Sequence, residues 1–455
     1  MRRNASRREF LRNSSMAGVG MWIGNTVIGS PRSPAEKLNV ACVGVGGKGS
    51  SDMGACRGEN IVAICDTDKN RLNQAGSRTA KKAEKYTDYR KMLDRKDIDA
   101  VTVSTPDHNH APAAMKAIKQ GKHAFVQKPL TKTVFEARQL REAAKKHKVA
   151  TQMGNQGTST SGLRKGVEVV QSGGLGNVTE IHVWTNRPVW PQGSKAIPTV
   201  PKADKVPEHM DWSSWLGPAA DRDYSRRYLP FVWRGFWDFG TGALGDMACH
   251  TANLAFWACE LEHPIAIQRE EMVGNNEITY PTYSKIRFDF PARKGYQSGK
   301  QLPALKFYWY DGWTIKGGRK TYNTPPKETF KGQPIKPSNS GSLMIGDKGM
   351  MYSPNDYGSG WTLFPEEFRS GYKAPTPWIP RSPGHAQEWI NACKGGKPAM
   401  SNFDYAALLT ETILLGNLAM KVDGKIEWDG PNLKSTNSPE ANKFIHYEYR
   451  KGYEL

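Results

Sequence analysis

The chain is poor in the residues that build metal centres or disulfide frameworks. Its six cysteines stand at 42, 56, 65, 249, 259 and 393 of 455 residues, and no two have the close spacing of a zinc or redox motif. Cys42 and Cys65 fall in short apolar runs, which reads as buried free thiol. No run of about 18 apolar residues occurs, so a polytopic membrane protein is excluded. Internal repeats and low-complexity segments are also missing, and an apolar share of 38 % excludes disorder as the global state. Charge is abundant but not clustered. Lys and Arg number 64 against 44 Asp and Glu, a net of +20, yet the only basic runs are Lys81-Lys82 and Lys145-Lys146-His147-Lys148. No nucleic-acid motif accompanies them, so no nucleic-acid partner is expected. No metal site is expected either. The length suits two domains.

The N-terminus reads as an address. Ser6-Arg7-Arg8-Glu9-Phe10-Leu11-Arg12 precedes a Gly-containing apolar stretch over 17–28, an order that resembles a twin-arginine export signal. The stretch is too short to span a membrane comfortably. Residues 1–36 are therefore expected to be signal and linker, and the protein is expected in the periplasm or cell envelope. This segment carries six Arg and two Glu, which leaves sixteen units of the net charge dispersed over the rest.

From residue 38 the chain alternates strand and helix. Leu38-Asn39-Val40-Ala41-Cys42-Val43 is strand-like and runs into Gly44-Val45-Gly46-Gly47-Lys48-Gly49. A second apolar run over 61–65 ends at Asp66, 22 residues after Gly44. Strand, G-x-G-x-x-G, helix, strand and acid together make a dinucleotide-binding fingerprint. Gly44 permits the tight turn, Gly46 admits a pyrophosphate, and the helix after Gly49 offers it free N–H groups. Asp66 can accept from both ribose hydroxyls and would repel a 2′-phosphate, which favours NAD; Lys69 and Arg71 keep NADP open. Further strands at 98–103, 123–126 and 149–153, with helices at 110–120 and 133–147, complete a doubly wound parallel sheet over 37–158.

Three patterns stand at the C-terminal ends of these strands, where such sheets bind ligands. They are Thr105-Pro106-Asp107-His108-Asn109-His110, Gln127-Lys128-Pro129-Leu130 and Gly154-Asn155-Gln156. With the glycine loop they resemble the glucose–fructose oxidoreductase / inositol dehydrogenase family, Gfo/Idh/MocA. The resemblance implies that Thr105, Pro106, His110, Gln127, Lys128 and Asn155 join Gly44, Gly46, Gly49 and Asp66 in holding the cofactor. It also implies an α+β C-terminal domain over 159–455 with a large open, mainly antiparallel sheet, through which relatives form homodimers or homotetramers. One departure is plain: the family's Glu-Lys-Pro reads Gln127-Lys128-Pro129, so the charge near the nicotinamide ribose is missing at that position.

The same resemblance implies a catalytic set of Lys128, Asp246 and His250, the last two four apart on a helix over 245–259. The residue types suit alcohol oxidation. A neutral His takes the hydroxyl proton, a Lys ammonium stabilises the alkoxide, and the Asp fixes the His tautomer or holds a neighbouring hydroxyl. Asn253 stands where many relatives have a further Asp and is expected at the substrate. Six of the 14 Trp lie between 184 and 237. Trp233, Arg234 and Trp237, just before the catalytic helix, are expected to face a sugar. The segment 385–420 reads as helical, with an apolar helix that starts at Phe403 and runs to Leu418. The sequence thus points to an NAD(P)-dependent oxidoreductase for a sugar, polyol or glycoside hydroxyl, with the cofactor tightly held. Redox-neutral glycoside cleavage through transient oxidation and a non-catalytic sugar sensor remain the alternatives.

Overall fold

A computed structural model describes residues 36–455. The twin-arginine pattern and its apolar stretch lie outside the described residues. Strands β1 (Asn39–Val43), β2 (Asn60–Cys65), β3 (Glu84–Tyr86), β4 (Ala100–Val103), β5 (His123–Val126) and β6 (Thr151–Met153) form a parallel sheet in the order β3-β2-β1-β4-β5-β6. β4 is buried at every residue and β1 at all but its first, because helices cover both faces of the sheet. β3 is an addition to the sequence reading. Glu-Lys-Tyr carries no apolar alternation, and an edge strand needs none. Asp68, Asp88 and Thr133 cap the helices that follow, Thr133 in a reciprocal box with Glu136. The strand order turns back on either side of β1, so the loops after β1 and β4 diverge and open a crevice between them.

The second sheet has ten strands and is antiparallel except where β7 (Val178–Trp184) runs parallel to β12 (Leu305–Lys316). The other members are β8 (Ala266–Val273), β9 (Tyr283–Phe290), β13 (Arg319–Tyr322), β14 (Gly341–Gly346), β15 (Met350–Ser353), β16 (Thr362–Phe364), β17 (Lys425–Asp429) and β18 (Lys434–Ser435). A separate hairpin pairs β10 (Arg293–Lys294) with β11 (Gln301–Leu302). Strict alternation of burial along β9 shows that one face meets the core and the other does not. Beneath the buried face lie Gly242–Thr251 and Phe403–Lys421, the latter also packing on Val134–His147 of the nucleotide domain. The buried Arg138–Glu411 pair, at 2.8 Å, ties those two helices.

Two helix readings change. The segment 245–259 is two helices, Gly242–Thr251 and Asn253–Ala258, meeting at Ala252. In the segment 385–420 the helix expected from Phe403 is present as Phe403–Lys421, but what precedes it is a separate helix, His385–Cys393, since Gly395-Gly396-Lys397-Pro398 cannot continue a helix.

Candidate active site

A cleft of about 850 Å³ runs from the glycine loop to His250, between the two sheets. At one end Gly44 has φ +76, and a side chain there would place Cβ 2.6 Å from the Ser104 carbonyl oxygen. Gly49 has no room because its Cβ would meet the Gly44 carbonyl. Gly46 faces only the flexible Arg71 side chain, so an approaching ligand, not the fold, requires it small. Asp66 is buried, which raises its carboxyl, and it accepts from the backbone N–H of Val45 (3.0 Å), Gly46 (3.3 Å) and Asp68 (3.0 Å). A carboxylate offers about four acceptor sites, so one remains for a ribose hydroxyl. The loop, the helix N-terminus at Lys48 and this acid fit an adenine dinucleotide.

At the other end three catalytic candidates converge from separate elements. Lys128, just after β5, donates to Asp246 twice, at its Oδ1 (2.7 Å) and its carbonyl (2.6 Å). Arg234 Nε donates to the same Oδ1 at 3.1 Å. Burial alone would raise the Asp246 carboxyl, but the charges of Lys128 and Arg234 overcome it and hold it well below the usual carboxylate range. Asp246 therefore serves the two cations and is not the partner of His250. The His250 ring packs edge-on against Tyr357, and its Nδ1 is buried with no hydrogen-bond partner among the described residues. Burial, then the Lys128 charge, hold His250 well below its ordinary value, so it is neutral.

The remaining expected residues divide. Thr105, Pro106, Gln127, Trp233 and Arg234 line the cleft. His110 stands behind it: its ring nitrogens face the Pro129 (2.8 Å) and Thr105 (2.9 Å) carbonyls, clamping the two motif loops together. Burial lowers it to about 4, so the neutral ring donates to one carbonyl at a time. Asn155 and Asn253 are fully buried away from the cleft. Asn155 accepts from Ser401 Oγ (2.5 Å), while Asn253 donates to Thr158 Oγ1 (2.8 Å) and accepts from Tyr405 OH (2.6 Å). Trp237 is also off the cleft, its ring packed on Tyr280 and covered by Lys421 Nζ at 3.8 Å. The expected wall of Trp is largely core: Trp212 and Trp215 stack in a cluster with Tyr224, Tyr228 and Phe239, and Trp184 fills the sheet.

The structure adds residues that the motifs did not single out. Gln127 Nε2 donates to Asp52 Oδ2 (2.8 Å), which also accepts from Ser104 Oγ (2.8 Å) and pairs with Lys48. The negative charge absent at 127 thus sits one side chain away, on Asp52. Asp107, inside the Thr-Pro motif, is buried on the cleft wall and accepts from Thr241 Oγ1 at 2.7 Å. Burial pushes its carboxyl up to about 7 against the pull of Arg234. Arg187 and Tyr357 also face the cleft. Asp107 had a sequence signal, as the one acid between Pro106 and His110, and so did Arg187, a cation interleaved with the Trp residues that follow β7.

Residues 38–155 match the model of the Gfo/Idh/MocA oxidoreductase family, NAD-binding Rossmann fold, and residues 163–289 match that family's C-terminal alpha/beta domain. An alpha-N-acetylgalactosaminidase of Shewanella oneidensis is 37 % identical over 145 residues, 30 % of this chain. The chain spans about a third of the length of the curated relatives it matches, 32 % in that case. The WlbA dehydrogenase of Bordetella pertussis, solved with NADH and UDP-GlcNAcA, superposes with a TM-score of 0.58 over 87 % of this chain and 99 % of its own, at 16 % identity. The aldose-aldose oxidoreductase of Caulobacter crescentus, solved with glycerol, gives 0.55 over 86 % and 100 %, also at 16 %. At that identity the likeness speaks for the fold. The two matched domains together span more than half of the chain, and the protein belongs to the Gfo/Idh/MocA oxidoreductase family, with an NAD-binding Rossmann domain.

Proposed function

We propose that this protein oxidises a hydroxyl of a sugar, polyol or glycoside. The observation that carries the reading is the meeting of Lys128, Arg234, Asp246 and His250 at the end of the cleft opposite the glycine loop. A nicotinamide dinucleotide bound there supplies the hydride acceptor. Lys128 spends two donor directions on Asp246 and keeps a third for the substrate oxygen. As the hydroxyl proton leaves, that ammonium stabilises the alkoxide. Neutral His250 takes the proton, and Trp233 offers a ring face to the sugar. Two ion pairs, Lys128–Asp246 and Arg234–Asp246, keep both cations fixed before substrate arrives.

The twin-arginine pattern supports a site of action in the periplasm or cell envelope, where no free dinucleotide pool is expected. A retained cofactor must then be recycled on the enzyme. The exposed face of the ten-stranded sheet is the surface we propose for a homodimer or homotetramer. The test is a panel of sugars added to protein as purified, read by the near-ultraviolet absorbance of reduced nicotinamide. Lys128→Ala should abolish the signal, whereas a sugar sensor would bind its ligand and show none with either protein.

A second reading is favoured by the glycosidase names of the curated relatives and by Asp107. Oxidation acidifies the neighbouring C–H; loss of that proton expels the glycosidic oxygen and leaves an unsaturated ketone, water then adds across the double bond, and return of the hydride from the reduced nicotinamide to the carbonyl restores the sugar. Asp107, which keeps a large protonated fraction near neutrality because burial raises its carboxyl, would hold the proton that the departing oxygen needs. Release of aglycone without net absorbance change separates this reading from the first.

A further inference from the structure

The long connection between β7 and the catalytic helix does more than build an aromatic core, because it returns to the nucleotide domain. His209 accepts a backbone hydrogen bond from Lys69 at 2.8 Å, and Asp211 donates one to the Thr67 carbonyl at 2.8 Å. Asp68 and Met210 bridge between them. Thr67–Lys69 directly follows Asp66, the acid at the end of β2. Four residues further on, the Trp215 carbonyl accepts from Asn109 Nδ2 at 2.9 Å, in the turn after β4. The stretch from His209 to Trp215 is thus anchored to the loops after β2 and β4. Those strands flank β1, whose own loop is the glycine turn. His209, Met210, Ser214 and Trp215 line the same cleft as Gly44, Gly46 and Asp66. The stacked Trp212 and Trp215, 4.8 Å apart, anchor the stretch in the aromatic cluster behind it.

We propose that His209–Trp215 is a strap across the adenosine-diphosphate half of the cofactor site, a binding element supplied by the second domain that makes the dinucleotide captive. The proposal rests on the dinucleotide reading of the cleft. The strap runs over the strand whose loop receives the pyrophosphate, so a bound dinucleotide cannot leave outward until the bonds to Lys69 and Thr67 open. The bonds involve main chain, so the latch does not depend on side-chain identity at 209–211. This property suits an enzyme that must keep one cofactor through many turnovers.

Lys69→Pro tests the latch with little collateral change. Position 69 opens its helix, where proline is tolerated, and Asp68 already has the extended backbone (φ −99, ψ 107) that a residue before proline adopts. The substitution removes the N–H that bonds His209, and Lys69→Ala keeps it. Wild-type protein should retain dinucleotide through gel filtration, quantified after heat release. NADH should dissociate from Lys69→Pro about tenfold faster, the equivalent of ~1.4 kcal/mol, followed by its fluorescence. Lys69→Ala should behave as wild type. Hydrogen exchange on the wild type is a second readout: amides 69 and 211 should gain protection when NADH binds. Equal dissociation rates in all three proteins, or unchanged exchange at both amides, would overturn the strap alone. Wild-type protein that neither retains nor binds a dinucleotide would overturn the reading of the cleft together with it.

Discussion

Asp246 is the residue whose replacement says most about the site. In Asp246→Asn the side chain keeps its shape but loses the charge that two cations share. Lys128 Nζ lies 2.7 Å and Arg234 Nε 3.1 Å from the same oxygen, so the two nitrogens are within about 6 Å of each other. At that separation, with an effective dielectric near 20, two unit charges repel by about 3 kcal/mol. Leaving a buried charge uncompensated costs ~3–5 kcal/mol, and the water-filled cleft relieves part of that. We expect a stability loss of about 2–3 kcal/mol by denaturant unfolding at pH 7. The pH dependence has a definite sign. The Asp246 carboxyl is depressed in the fold, so its stabilisation is present above the unfolded value of ~3.9 and fades as pH falls through the lower folded value. The gap between wild type and variant should therefore be constant above about pH 5 and shrink in acid. The turnover rate should fall roughly 100- to 1,000-fold, because a Lys128 pushed off the oxyanion site forfeits about 3–4 kcal/mol of transition-state stabilisation. Formate, a small carboxylate, should restore part of it. A variant within threefold of wild-type turnover and with unchanged unfolding would refute the claim that Asp246 holds the two cations.

Three further outcomes follow from the geometry. Asp107→Asn should remove an alkaline limb near pH 7 from the rate profile of aglycone release, since burial holds that carboxyl at about 7; a wild-type profile flat from pH 6 to 8 would count against its role as a proton donor. Gln127→Glu should set a second carboxylate against Asp52, 2.8 Å away, and raise the dissociation constant for NADH about tenfold or more at pH 8, measured by fluorescence titration, with relief as pH drops. Trp233→Ala should raise KM for the sugar, while Trp237→Ala should leave KM alone and lower the unfolding midpoint, because Trp233 lines the cleft and Trp237 packs on Tyr280 away from it.

The nucleotide half of the protein was legible in the sequence because its determinants are local. A tight turn, a positive-φ glycine and an acid at the end of the next strand are needed within some 25 residues of one another, and Gly44, Gly49 and Asp66 occupy the expected positions. The short edge strand Glu84–Tyr86 escaped notice because only Tyr86 in it is even partly buried. Lys128, Asp246 and His250 were also readable, as motif residues and as a pair on one helical face. Their pairing was not. Asp246 turns from His250 to two cations because Arg234, far from Lys128 in the chain, is folded onto the same carboxylate. His110, Asn155, Asn253 and Trp237 show the general limit. A motif position tells which residue is near a ligand-binding loop, not which side of that loop the side chain leaves from.

Local backbone chemistry in the sequence by itself determined the Rossmann half, the α/β class and the residues from which a site could be made. The tertiary structure alone decided which of them share the cleft, where the charge missing at Gln127 went, and that the stretch from His209 to Trp215 bonds back to the loops after β2 and β4. The physical reason is that these are long-range contacts. They depend on how two sheets close on each other, and no pattern within a few turns of chain records that.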